Sequence, residues 1–148
     1  MNTTRTQPHI HFVLGAEQLR KDQYIQEVRA RYPEAQGTFG VEKFDCKSDV
    51  LGEVLSKART FPFGLSVQIF QVVINKKLTK SEHGLLKEFI GNPPSFTVMI
   101  FDVRHEGVAV KDFLKKGVTT VYNCDEHGAD VSLEIRQFLK AHGKKMSS

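Results

Sequence analysis

The feature that most constrains the fold of this chain is a regular alternation of short β-rich runs with segments of helical periodicity. The clearest strand, Val67 to Ile74, is mostly apolar and β-branched, as expected where helices cover both faces of a parallel sheet. Five strands are predicted, at 9–14, 38–44, 67–74, 96–101 and 118–122. Helices are predicted at 17–32, 48–58, 82–90, 108–116 and 131–141. We therefore predict an α/β fold in which a five-stranded, mainly parallel sheet lies between two helical layers.

Two of these helices carry candidate capping residues. Ser48 or Asp49 is positioned to cap the second helix. Thr79 and Ser81 precede Glu82, which is a capping arrangement for the third helix.

Length and composition indicate one domain. The chain has 148 residues, of which 40% are hydrophobic, and this is close to the commonest domain size. We predict a flexible segment at 1–8, a single α/β domain at 9–142 and a polar tail at 143–148. No apolar run approaches the roughly 20 residues of a membrane span, and no signal-peptide core follows the polar first residues. A cytoplasmic protein with free thiols at Cys46 and Cys124 is expected.

The turn after the first strand occupies the position of a phosphate-binding loop. In nucleotide-hydrolysing proteins this turn reads G-x-x-x-x-G-K-[ST], and its N–H groups and lysine bind phosphate. Here the turn runs from Gly15 to Asp22 with one glycine, no Lys-Ser/Thr pair, and Glu17 where a polyanion would lie. The sequence predicts a nucleotide-type architecture without bound nucleotide, cofactor or metal, so a binding role is favoured over catalysis.

Other candidate catalytic and metal-binding groups are sparse. Asp102 closes an apolar strand, where phosphate-loop enzymes place a magnesium-binding acid, but a capping or loop-starting role is favoured because no second acid follows. His9 and His11 share one face of the first strand and lack an evident third metal ligand. Packing near the end of the sheet is the favoured interpretation of both histidines.

The two cysteines follow predicted strands, at the edge where open α/β sheets bind ligands. Lys47 could lower the pKa of the Cys46 thiol. A small enzyme or ligand-binding domain that uses the strand ends near Gly15, Asp45, Asp102 and Cys124 is therefore an alternative hypothesis.

Several segments resemble the delta subunit of the bacterial DNA polymerase III clamp loader. These segments span almost the whole chain: His11 to Glu17, Val41 to Asp45, Thr60 to Phe63 with the strand that follows, Asn92 to Val98, and Val118 to Tyr122 with the final helix. The resemblance covers only the first of that family's three domains. It implies a RecA/AAA+-like core without Walker motifs, which acts in DNA replication by binding the sliding clamp and other clamp-loader subunits.

The same resemblance implies a contact site. The family's clamp-binding residues lie between the second helix and the third strand, where this chain has Phe61, Pro62 and Phe63. Two aromatic side chains on a proline-stiffened turn offer a large apolar area at low conformational cost. Packing of Phe63 against the end of the core is the alternative. Gly64 stands where the family often has a second large apolar residue.

The excess of basic residues allows a nucleic-acid partner. The net charge is +4, and Lys76, Lys77 and Lys80 form a candidate weak DNA contact. Solvated helix and turn faces are the favoured interpretation of these lysines, so the net charge is weak evidence for a nucleic-acid partner.

Overall fold

The computed structural model describes residues 9–35, 40–60, 62 and 64–125. In this part of the chain the strands are β1 (Ile10–Leu14), β2 (Val41–Asp45), β3 (Gln68–Ile74), β4 (Thr97–Val103) and β5 (Thr119–Asn123). The helices are α1 (Gln18–Ala30), α2 (Leu51–Ala58) and α3 (Lys80–Gly91), and 3₁₀ turns occupy Pro33–Ala35 and Val110–Phe113.

The strands form one sheet in the order β2-β3-β4-β1-β5. Every neighbouring pair is parallel, and β1 lies between β4 and β5, with Phe12 opposite Phe101 and Val121. The predicted five-stranded α/β sheet is confirmed, and it is wholly rather than mainly parallel.

Helices cover both faces of the sheet, which confirms the three predicted layers. On one face, α2, α3 and the second 3₁₀ turn pack over Phe12, Phe70 and Phe101. On the other face, α1 packs Ile25 and Val28 against the sheet. Because both faces are covered, β4 is buried along its whole length and reads as an apolar run.

The start of α2 differs from the prediction. Its N-cap is Val50, and no side chain caps the helix. The Asp49 carboxylate instead accepts a hydrogen bond from the Asp45 N–H at 2.8 Å, so it stabilises the preceding turn. In α3, by contrast, Thr79 and Glu82 form the predicted capping box.

The predicted helix at 108–116 is a single 3₁₀ turn, Val110–Phe113. It ends early because the chain turns back into β5, with the Lys115 N–H bound to Thr119 Oγ1 at 2.9 Å. The predicted helix at 131–141 and the first part of the predicted strand at 38–44 lie outside the described residues. No helix in the described ranges is long and apolar enough to cross a membrane.

Candidate functional site

The topology creates a crevice where β1 and β4 end. The connections that follow these neighbouring strands lie on opposite faces of the sheet, and ligands of open α/β sheets bind at such switch points. A cavity of about 660 Å³ opens here, lined by the segments after β1, β4 and β5, including Gly15, Ala16, Arg104 and Asp125.

The turn at Gly15 is closed by the segment that follows β5. Gly15 has a φ of +112°, and a Cβ added there would lie 2.9 Å from Cys124 Sγ and from the Asp125 backbone nitrogen. Only glycine avoids both the backbone strain and this contact. The Ala16 N–H donates to Asp125 Oδ1 at 3.0 Å, so a carboxylate of the chain itself occupies the turn.

Below this turn, Lys21 and Asp102 form a buried ion pair. Their charged atoms are 2.8 Å apart, and the two side chains are 1% and 3% exposed. Lys21 also donates to the Val103 carbonyl at 3.0 Å. Lys21 is thereby committed to internal partners on β4.

The Asp102 carboxylate has further donors. Arg104 Nη2 lies at 2.9 Å and Gln18 Nε2 at 3.1 Å. Burial raises the pKa of Asp102, but hydrogen bonds from Lys21 and Arg104 outweigh it and hold this pKa below its usual value. The prediction of a capping or loop-starting Asp102 is wrong, because the residue lies within β4. Its buried carboxylate accepts hydrogen bonds from Lys21, Arg104 and Gln18 there.

Lys21 was not among the residues that the sequence singled out, although a signal was present. It stands six residues after Gly15, which is the spacing between the first glycine and the lysine of G-x-x-x-x-G-K. Arg20 and Asp22 replace the flanking glycine and Ser/Thr. The lysine position of the motif therefore persists with a different partner.

Both cysteines are free and buried. The Cys124 thiol donates to the Leu14 carbonyl at 3.1 Å, and burial raises its pKa. Burial also raises the pKa of Cys46 to about 11. The suggestion that Lys47 lowers the pKa of Cys46 is wrong, because loss of solvation dominates at this position.

The prediction that the histidines of the first strand pack near the end of the sheet holds for His11. His11 Nδ1 shares a hydrogen bond of 2.9 Å with the Tyr24 hydroxyl, and the two rings meet edge to face. Within the described ranges, no group of three or more His, Cys, Asp or Glu side chains could hold a metal ion.

The α2–β3 loop lies at the opposite, amino-terminal edge of the sheet. Phe61 and Phe63 fall outside the described residues, whereas Pro62 is buried. The Gln68 side chain at the start of β3 donates to the Thr60 carbonyl at 3.1 Å and to Thr97 Oγ1 at 3.0 Å. The buried Gln68 side chain therefore holds Thr60, the point where the chain enters this loop, to the start of β4 at Thr97.

The three lysines of the candidate DNA contact differ in environment. Lys76 is half-buried and forms an ion pair with Glu82 at 2.6 Å. Lys77 and Lys80 are exposed. Lys76 is therefore engaged in an internal ion pair, whereas Lys77 and Lys80 lie at the surface.

Comparison with known proteins gives matches to solved structures. No family model and no curated protein matches the sequence. The DNA clamp loader delta protein of Bacillus subtilis matches with a TM-score of 0.63 and 19% identity, over 79% of this chain and 39% of the other. A DNA polymerase III gamma subunit-related protein of Thermotoga maritima matches with a TM-score of 0.58 and 10% identity, over 92% of this chain and 48% of the other. This chain spans less than half of either protein, and it has the fold found within both.

Proposed function

We propose that this domain is a catalytically silent, clamp-loader delta-like module that binds the DNA polymerase sliding clamp in a replication assembly. The observation that carries the proposal is the match to the Bacillus subtilis DNA clamp loader delta protein over 79% of the chain. The matched fold supports a role related to the replisome, and the residues at its two edges support a binding role.

The carboxyl edge of the sheet supports catalytic silence. The Ala16 N–H is bound to Asp125, and Lys21 is buried against Asp102. Nucleotide hydrolysis on this fold uses backbone N–H groups and a lysine to bind the phosphates. Here groups of both kinds already have partners within the chain.

The amino edge supports a protein contact. We assign the contact to the turn at Phe61, Pro62 and Phe63, in which the two aromatic side chains are the anchors and the buried Pro62 lies between them. Aromatic anchors at the centre of an interface carry much of its binding energy. Arg59 donates to the Asn92 carbonyl at 2.8 Å and stacks over the Phe89 ring at 4.8 Å. With the Gln68–Thr60 bond, these contacts brace the end of α2 from which the loop emerges, which lowers the entropy cost of binding.

The experiment is capture of the host sliding clamp by the purified chain, measured as an equilibrium affinity. Phe61→Ala combined with Phe63→Ala is expected to weaken binding about 30-fold or more, the loss typical of an interface hot spot. Leu19→Ala is the matched control, because Leu19 is an apolar side chain that is 70% exposed at the other edge. Equal affinities for the aromatic double variant and the control would contradict the assigned surface.

The alternative hypothesis, a small enzyme acting at the strand ends, gains little from the side chains found there. Burial raises the pKa of both thiols, which disfavours the nucleophilic thiolate. The Asp102 carboxylate is held by Lys21 and Arg104. These groups are arranged as internal contacts, so we favour the binding module.

A further inference from the structure

The β1–α1 turn and the segment after β5 are joined by several hydrogen bonds. The Ala16 N–H donates to Asp125 Oδ1 at 3.0 Å, and the Cys124 N–H donates to the Leu14 carbonyl at 2.9 Å. The Cys124 thiol donates to the same carbonyl at 3.1 Å and lies 3.4 Å from the Glu17 carbonyl. The two segments therefore meet through both backbone and side-chain groups.

Asp125 is itself held in place for this contact. Its N–H donates to Asn123 Oδ1 at 3.1 Å, a local side-chain-to-backbone bond that shapes the turn. The position of a Cβ on Gly15 would lie 2.9 Å from the Asp125 nitrogen. The Asp125 segment therefore approaches the turn as closely as a glycine at this position allows.

The chemistry of the contact is that of anion binding. Backbone N–H groups at the start of a helix bind phosphate oxygens in phosphate-loop proteins, assisted by the positive end of the helix dipole. A carboxylate meets the same requirement through a charge-assisted hydrogen bond. α1 has 13 residues, and the carboxylate of Asp125 lies on the turn that leads into it.

We propose that Asp125 is a built-in anion that occupies the phosphate position of the β1–α1 turn and keeps this turn closed to phosphate-bearing ligands. An entering phosphate must displace the carboxylate before it reaches the Ala16 N–H. Lys21 is paired separately with Asp102, so the donor that Asp125 occupies is the Ala16 N–H. The turn thereby keeps its folded conformation without a ligand.

The test uses inorganic pyrophosphate as the probe and thermal stability of the full chain as the readout. Wild-type protein is expected to show no pyrophosphate-dependent change in Tm. Asp125→Ala is expected to gain a rise of about 2–4 °C at saturating pyrophosphate, since a ligand that binds only the folded state stabilises it. Glu88→Ala, which removes an exposed acid from α3, is the control and is expected to behave as wild type.

Two results would overturn the proposal. One is a folded Asp125→Ala chain whose Tm responds to pyrophosphate no more than that of Glu88→Ala. The other is measured in wild-type protein and does not depend on the variant folding. The Ala16 amide is expected to exchange its hydrogen at least about tenfold more slowly than an unstructured peptide, and exchange at the peptide rate would show that the contact with Asp125 does not form.

Discussion

Replacing Asp102 by alanine is expected to cause a large loss of stability. The substitution leaves the Lys21 ammonium, on a side chain that is 1% exposed, without its carboxylate. Arg104 and Gln18 lose the same acceptor. Removing one partner of a buried ion pair costs about 3–5 kcal/mol of unfolding free energy, and we expect Asp102→Ala to fall in this range.

The matched control is an ion pair at the surface. Lys57 and Glu42 are also 2.8 Å apart, but their side chains are 56% and 35% exposed. Pairs of this kind contribute about 0–1 kcal/mol, so Glu42→Ala should have a small effect. Combining Lys21→Met with Asp102→Ala should recover part of the loss, because no buried charge then remains unpaired.

Urea unfolding followed by far-UV circular dichroism suits this comparison, since the chain has no tryptophan. The pKa of Asp102 is lowered in the folded chain, below the unfolded value of about 3.9. The contribution of Asp102 to the unfolding free energy is therefore complete above the unfolded pKa and is lost as pH falls through the folded pKa. If Asp102→Ala lowered the unfolding free energy no more than Glu42→Ala at pH 7, or if its cost grew on acidification below pH 4, the Asp102 ion pair would not stabilise the fold as stated.

Three further predictions concern other parts of the chain. Thr79→Ala removes the hydroxyl that accepts the Glu82 N–H and should cost about 1 kcal/mol in the same unfolding assay; no loss would contradict the capping box. Burial raises the pKa of Tyr24 to about 12, above the usual value near 10. The unfolding free energy should therefore decrease as pH rises from about 10 to about 12, and the decrease should be smaller in Tyr24→Phe. An equal decrease in both proteins would show that Tyr24 ionisation does not contribute. At pH 7, a disulfide reagent should modify Cys46 at about one-hundredth of the rate of a free cysteine or less, and rapid labelling of the folded chain would disprove its burial.

Much of the fold could be predicted from the sequence because the strongest signals are local. β4 is buried on both faces and β3 is buried along most of its length, so their apolar runs identify them without knowledge of their neighbours. The capping box of Thr79 and Glu82 is equally local. The prediction of a helix at 108–116 is wrong because a tertiary contact decides where this segment ends. The chain returns into β5 there, through the hydrogen bond between Lys115 and Thr119.

The candidate site was harder to predict because its contacts are distant in sequence. The spacing after Gly15 could have identified Lys21, but its pairing with Asp102 depends on β4 lying beside β1. Ala16 and Asp125 are 109 residues apart. Periodicity and motif spacing carry no information about such pairs, and only the strand order brings them together.

We propose that internal contacts take the place of nucleotide phosphates at the β1–α1 turn. Calorimetric titration of magnesium-ATP into the purified chain is the decisive measurement. We expect no saturable heat of binding at millimolar nucleotide, because the Ala16 N–H and the Lys21 ammonium already have partners within the chain. Saturable binding of one nucleotide per chain would contradict it.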